Sequence, residues 1–427
     1  MEYKDILDLL DKELIVALGC TEPAAIALAA AVARKHLKGA DLVTLEVIAS
    51  GNIIKNAMGV NIPGTGQAGM KLAAALGSLG DPEKGLEVLC GLSKEDIERA
   101  EEMVQEGRTS IRKADSPKKL YIEAVARSAE GYSRVVIEDR HSNITHIEAD
   151  GVSFLCGGDI EPVEDKSAEP FLSIDAIWDF VEKVDTNLLG KVDDSIKLNT
   201  KVANEGLKNR YGLQVGKTLF ESMAEGPRSN DVVNYAIALT AAASDARMDG
   251  CSLSVMSNTG SGNQGITATM PVVAFWEKLG LSYDSLLRAA ALSHLMTIHI
   301  KLKFGRLSAL CGASIAATGA SCGITYLMGG GKAEVKAAIQ NMLGNITGMV
   351  CDGAKSGCAL KVATCTSAAC MSATLAMKGL GIGCKDGIIE NDVEKTIDNL
   401  CKIGNEGSLE IDRIILDIML NKKGCNN

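Results

Sequence analysis

The chain carries thirteen cysteines, and a few stand where a thiolate could do chemistry. Cys311 follows Arg306-Leu307-Ser308-Ala309-Leu310, and Cys351 and Cys358 enclose Asp-Gly-Ala-Lys-Ser-Gly. Glycines beside a thiolate let the backbone fold close around an inorganic centre and leave N–H groups to point at sulfur. The spacing is neither a ferredoxin CxxCxxC run nor a paired CxxC zinc site. A single Cys near Gly is as a rule a packed thiol, so spacing alone leaves metal binding and packing both open. Cys365 and Cys370 sit inside a helical run and read as packing. Cys20, in Gly19-Cys20-Thr21-Glu22-Pro23, lies where one helix ends and the next begins. A helix start lowers a thiol pKa, which predicts a thiolate near neutral pH and suits a nucleophile, base or ligand. The alternative is a capping turn in which Thr21 caps and Cys20 is incidental.

Two loops are rich in uncharged polar groups. Met256–Gly265 reads MSNTGSGNQG. Its Ser257, Asn258, Thr259, Gly260, Ser261, Gly262, Asn263 and Gln264 could aim several donors at a substrate carboxylate, forming an anion-binding nest. Asn61–Gly69 (NIPGTGQAG) is a similar loop before a helix. It lacks the Gly-Lys-Ser/Thr ending that holds a nucleotide and Mg²⁺. Gly64, Thr65 and Gly66, with Asn56 just upstream, are the candidates for substrate contact there; the alternative is a helix-starting turn. Ser244-Asp245-Ala246-Arg247 reads first as a structural ion pair and, as the alternative, as a substrate contact. Of the five histidines, His36, His141, His146, His294 and His299, none shows an HExxH pattern, although His294 could reach the cysteines from its helix.

These residues need elements to hold them. Residues 3–37 read as helix, with Ile6, Leu9, Leu10 and Leu14 at helical spacing, a break at Gly-Cys-Thr-Glu-Pro, and an Ala-rich helix from Pro23, where proline suits the first turn. Asp41–Ser50 reads as a strand, and Ala68–Leu79 and Ser93–Glu106 as helices. Four further strand-like segments follow, Thr109–Arg112, Leu120–Val125, Ser133–Glu138 and Asn143–Glu148, with Gly, Asp and Asn in the turns between them. From about residue 170 the strand signal vanishes into long Ala-, Leu- and Met-rich helical stretches. The fold class expected is α+β: a large all-helical domain plus a smaller α/β domain with a mostly antiparallel sheet. The divisions expected are residues 1–38, N-terminal helices packing with the helical domain; 39–165, the α/β domain; and 166–427, the helical domain. Glu161–Glu169 (EPVEDKSAE) is the linker candidate.

Composition bounds the function. With 427 residues, 46% of them hydrophobic, the chain can bury a large core. A formal charge of −10 and no basic run exclude the footprint a nucleic acid needs. The N-terminus MEYKDILDLLDKE is unlike a basic segment followed by an apolar core. Val362–Met377, flanked by Lys361 and Lys378, reads as a buried helix and not as a membrane crossing. Together with unpaired thiols these features predict a cytoplasmic protein with no membrane partner.

Several motifs together carry a resemblance: LGCTEPAAIALA, GVNIPGTG, AASDARM, MSNTGSGNQGITATMPV, RLSALCG and GMVCDGAKSGCALKV, running from residue 18 to 362. The sequence resembles the L-cysteine desulfidases, a branch related to the α part of bacterial iron–sulfur L-serine dehydratases. The resemblance implies a [4Fe–4S] cluster held in the helical domain by Cys311, Cys351 and Cys358, with one iron open. The last two stand closer together here than in the dehydratases. Cys20 belongs to the GCTEP motif of the desulfidase branch and is either catalytic or a ligand in place of Cys358. The activity implied is α,β-elimination of L-cysteine to pyruvate, ammonia and sulfide. The alternatives are an iron–sulfur L-serine dehydratase and a non-catalytic iron–sulfur sensor, for which no DNA- or partner-binding module is visible. A pyridoxal phosphate enzyme would need a Schiff-base lysine, and Lys355 is the nearest suspect. The expected partners are a small amino-acid substrate and a second copy of the chain in a homodimer.

Overall fold

The computed structural model describes residues 3–39, 41–156, 171–305 and 308–422. The linker candidate Glu161–Glu169 and the division at residue 165 lie outside the described residues, as do Arg306 and Leu307 of the RLSALCG motif.

In chain order the first part contains α1 (Tyr3–Glu13), β1 (Val16–Leu18), α2 (Thr21–His36), β2 (Thr44–Ala49), α3 (Gly51–Ala57), α4 (Met70–Gly77) and α5 (Lys94–Gln105). Strands β3 (Thr109–Lys113), β4 (Tyr121–Arg127), β5 (Tyr132–Glu138), β6 (Ile144–Ala149) and β7 (Val152–Cys156) complete it. The sheet order is β3-β2-β4-β5-β6-β7. Only β2 and β3 pair parallel, and the other neighbours are antiparallel, as the alternating segments predict. β4 and β5 alternate core and surface side chains, with Ile122, Ala124, Val135 and Ile137 inward.

The second part is helical: α6 (Ile174–Lys183), α7 (Gly190–Lys208), α8 (Val215–Glu225), α9 (Val232–Met248), then a short β8 (Ser254–Met256) and α10 (Gly262–Leu279). It continues through α11 (Tyr283–Phe304), α12 (Gly312–Leu327), α13 (Lys332–Ile346), α14 (Cys358–Ala376), α15 (Val393–Glu406) and α16 (Ser408–Leu420). By length and composition α14 is the one helix among the described residues that could span a membrane; half of it is buried within the protein, against α9, α12 and α13.

Two corrections to the sequence reading concern the first 38 residues. The amphipathic α1 does send Ile6, Leu9 and Leu10 into the helical core. α2 does not follow it. Its residues Ala24 through Ala33 are all buried in the other core, against β4, β5 and α4. An all-apolar helix must be covered on every side, and the sheet covers one of them. Its small residues allow close contact: a Cβ added at Gly77 of α4 would lie 2.3 Å from the Ala27 carbonyl oxygen. The second correction is a strand inside the helical stretch. β8 pairs antiparallel with β1, Ala17 opposite Val255, and this two-stranded ribbon joins the two parts of the molecule. The last helix returns across the same boundary. α16 packs on α3, and its Leu416 enters the sheet-side core.

Candidate active site

The ribbon and the helix starts around it bring the GCTEP turn, the MSNTGSGNQG loop and the cysteine loops into one neighbourhood. Gly19 takes a left-handed conformation at φ 67°, with Pro63 so near that a Cβ would meet its ring at 2.6 Å; only glycine fits both demands. The turn delivers Cys20 to the start of α2. There it forms a small apolar cluster with Val60, Met248, Ala354 and Cys358.

Glu22 organises this corner. Its carboxylate accepts the Cys20 S–H (3.0 Å), the Thr21 O–H (3.1 Å) and the Asn56 Nδ2–H (3.0 Å). His141 Nε2 stands 3.7 Å away. Burial alone would raise the Glu22 pKa, but His141, the Cys20 thiol and Arg247 outweigh it and hold the carboxyl well below its usual range. Cys20 responds in the opposite sense. Burial and the Glu22 charge push its thiol well above the ordinary value, with Arg247 opposing weakly. The sequence expectation of a thiolate at the helix start is therefore reversed, because burial disfavours the anion and the acid in the first turn of α2 accepts the thiol proton. His141, on the turn after β5, was given no role from sequence; it is 5% exposed, and both its ring nitrogens lack a hydrogen-bond partner.

Arg247 and Asp245 do not form the ion pair read from their proximity. Two residues apart on a helix, they point to different sides. Asp245 accepts the Gly216 N–H at 2.9 Å, and burial raises its pKa to about 7. Arg247, 3% exposed, donates Nε–H to the Gly19 carbonyl (3.0 Å) and contacts Met248 Sδ (3.4 Å). Its guanidinium lies across the first residue of α10: a Cβ at Gly262 would fall 2.2 Å from Arg247 Nε.

The MSNTGSGNQG loop differs from expectation in what it leaves free. Its side-chain donors are committed inside the protein. Ser257 O–H donates to the Ile15 carbonyl (2.6 Å), and Asn258 Nδ2–H to His294 Nδ1 (3.0 Å) and to the His294 carbonyl (3.3 Å). Gln264 Nε2–H donates to the Asn258 carbonyl and to Thr259 Oγ1, each at 3.4 Å. Ser261 caps α10, and Asn263 contacts Met248 Sδ at 3.4 Å. The leftover groups are acceptors: Asn258 Oδ1, Gln264 Oε1 and, across the site, Asn56 Oδ1 are buried without a partner. Thr259 sits at φ 47° and Gly260 at φ 83°, a tight reversal held by the Thr259 N–H on the Glu13 carbonyl (3.0 Å). His294 is buried and neutral, its pKa lowered to about 3 by desolvation. It anchors Asn258 while its other nitrogen meets Ser195 Oγ (2.8 Å), so it supports the loop from behind.

Thr65 closes its own turn on Ile62 and Gln67, and Gly64 and Thr65 line a cavity of about 200 Å³ with Leu18, Pro63 and Cys90. That cavity borders the GCTEP turn through Leu18 and through Pro63, whose ring packs against Gly19.

Cys311 precedes α12, and Cys351 lies opposite it on a bridge between Leu310 and Val350. Backbone bonds from the Cys311 N–H to the Met349 carbonyl (2.8 Å) and from the Cys351 N–H to the Ala309 carbonyl (2.6 Å) set the two side by side. The Cys311 thiol, with Lys55, the Gly353 N–H and Lys361, lowers the Cys351 pKa against burial, while the Cys311 pKa rises. Cys358 opens α14, raised by burial and by the nearby Cys351 charge. Cys365 and Cys370 are fully buried in α14 with pKa pushed up to about 12 by burial, as packed thiols should be. Among the described residues no three His, Cys, Asp or Glu side chains converge closely enough to share one metal ion. A cuboidal cluster asks for something else: separate soft thiolates, each on its own iron. Cys311, Cys351 and Cys358 match that donor set in kind, as soft thiols, although the described cysteines are not gathered into one cradle. Lys355, the pyridoxal suspect, is ion-paired with Asp352.

A family model described as serine dehydratase alpha chain matches residues 83–417. The chain belongs to the serine dehydratase alpha chain family. The UPF0597 protein of Oleidesulfovibrio alaskensis is 49% identical over 99% of both chains. That of Parabacteroides distasonis is 45% identical over 98% of both, and that of Clostridium perfringens 44% identical over 98% of this chain and 99% of its own. Family membership makes the protein a relative of dehydratase-type lyases.

Proposed function

We propose that this member of the serine dehydratase alpha chain family is an iron–sulfur-dependent α,β-eliminase whose substrate is L-cysteine. The reaction takes L-cysteine to sulfide and aminoacrylate, which water converts to pyruvate and ammonia. The observation that carries the reading is the shared corner of Cys20, Glu22, Arg247 and Cys358, at the edge of the Cys311–Cys351 loops. Cys311, Cys351 and Cys358 would hold a [4Fe–4S] cluster, which supplies an electrophilic iron for the leaving heteroatom. The chain's own groups do the rest. Arg247 sets positive charge beside the substrate, and the buried walls of Cys20, Val60 and Met248 exclude water. Cys20 is the group that can exchange a proton with substrate, with Glu22 facing its S–H and Arg247 stabilising the thiolate once it forms.

L-Serine is the second reading, favoured by the family description and by the resting state of Cys20. Both eliminations need a base at Cα, but hydroxide is the poorer leaving group, and a thiol held protonated is a competent acid toward it. The deciding experiment is anaerobic purification with iron and sulfide assays, followed by turnover of cysteine and serine side by side. Roughly four iron and four sulfide per chain and faster pyruvate release from cysteine are expected. Stoichiometric zinc in an active preparation, or turnover of neither amino acid, overturns the proposal; faster turnover of serine moves the assignment to the second reading.

A further inference from the structure

The loop at the start of α10 poses a recognition problem that elimination alone does not answer: what reads the invariant end of the amino acid. Three observations meet there. Arg247 is buried, and among the described residues its contacts are the Gly19 carbonyl and Met248 Sδ, with no carboxylate at ion-pair distance. A buried guanidinium is costly unless a counter-charge arrives. Its guanidinium lies against Gly262, in the first turn of an 18-residue helix, whose opening N–H groups have no acceptor within the helix and favour an anion.

The second observation is the orientation of two amides. At Asn258 and at Gln264 the nitrogen end donates to a backbone carbonyl, of His294 and of Asn258 respectively. A carbonyl can only accept, so the opposite end of each amide is the oxygen. Both oxygens are buried without a partner, in side chains 0% and 2% exposed. An unmet buried acceptor costs free energy unless a donor comes with the ligand. The third observation is placement. Gln264 shares the first turn of α10 with Gly262, and its Oε1 would lie 2.9 Å from a Cβ at Gly312, the residue after Cys311. The cationic and the accepting groups are thus one helical turn apart, between Cys20 and Cys311.

We propose that Arg247 with the first turn of α10 binds the substrate α-carboxylate, and that the amide oxygens of Gln264 and Asn258 accept hydrogen bonds from its α-ammonium. The site therefore selects zwitterionic α-amino acids and orients them with the β-carbon toward the cysteine loops. This deepens the eliminase reading and rests on it for the identity of the ligand, but it is tested by binding alone. The probes are L-alanine, which has no β-leaving group, L-lactate, which lacks the ammonium, and L-alaninamide, which lacks the carboxylate. Calorimetry on the anaerobically purified wild-type protein should give L-alanine at least about tenfold tighter binding than either analogue, the range for losing one or two charge-assisted bonds. Arg247→Met should bring alanine down to the affinity of alaninamide, and Gln264→Met down to that of lactate, while Gln264→Glu, which keeps an acceptor, should retain the preference for alanine over lactate. Equal binding of alanine and lactate by wild type overturns the ammonium contact; wild-type affinity for alanine in a folded Arg247→Met overturns the carboxylate contact; no binding of any probe overturns both. A protein that discriminates the probes as expected yet turns over neither cysteine nor serine keeps this inference and loses the eliminase reading.

Discussion

Replacing Glu22 by Gln tests the organisation of the site directly. The carboxylate accepts three side-chain donors from a buried position. A glutamine offers one acceptor oxygen where two now serve, and it points an N–H at a donor, Asn56 or Cys20. The variant should therefore lose about 1–3 kcal/mol of stability at pH 7, the range for leaving a buried polar group unsatisfied. The pH dependence is the sharper signature. The folded pKa of Glu22 is depressed, so its contribution is fully present above the unfolded value of about 4.3 and is lost as pH falls toward the folded value. Below about pH 4 the unfolded chain binds a proton at this residue that the folded chain does not. The wild-type advantage over Glu22→Gln should then shrink by about 1.4 kcal/mol per pH unit. Urea unfolding of both proteins at pH 7, 5, 4 and 3 measures it, and taking the difference cancels the other carboxylates. Curves that stay parallel from pH 5 to pH 3 would show that the fold does not hold Glu22 ionised and would remove the reason given for the raised pKa of Cys20.

Cys311→Ser and Cys351→Ser should each lose most of their iron on anaerobic purification, since hydroxyls ligate iron poorly beside sulfide, while Cys365→Ser and Cys370→Ser keep it; full iron in Cys351→Ser contradicts the ligand assignment. Cys20→Ala should retain its iron and lose activity by at least about a hundredfold, as for removal of an acid–base group; iron lost together with activity would make Cys20 a ligand and release Cys358 from that role. Asp412→Asn strips the partner, at 2.5 Å, from a Lys55 that is 2% exposed, and denaturant unfolding should show a loss of about 3–5 kcal/mol. Because Lys55 also stabilises the Cys351 thiolate, Lys55→Met should slow alkylation of Cys351 in the iron-free protein relative to wild type, and an unchanged rate refutes that electrostatic link.

What could be read from the residues depended on whether the signal had a period. β2 through β6 alternate or carry β-branched runs over five to seven residues, which is long enough to detect, and the capped α5 declares its ends through the Ser93–Asp96 box. β1 and β8 are three residues each, too short for alternation, and exist because each satisfies the other's backbone. The Ala-rich α2 announces that it is buried, but uniform apolarity has no moment and names no partner, so its place on the sheet was not legible. His141 carried no signal either, since a turn after a strand has no pattern that marks a side chain aimed into another part of the fold.

The candidate site divides along the same line. Residue types marked the loop Ser257–Gln264 as a candidate, because amides, hydroxyls and glycines before an apolar helix can bind a ligand. Composition cannot say which end of an amide is spent. Asn258 and Gln264 looked like donors for a carboxylate, and would have been had His294 and the Asn258 carbonyl not stood behind them as acceptors. Those acceptors come from a helix more than thirty residues downstream and from the loop's own reversal at Thr259 and Gly260. The same geometry that consumes the donors leaves the oxygens without partners and sets Arg247, read from sequence as half of an ion pair, against the start of α10. The polarity of the loop is thus a tertiary property: the sequence supplies groups that can both donate and accept, and the packing behind them decides which end of each is left without a partner.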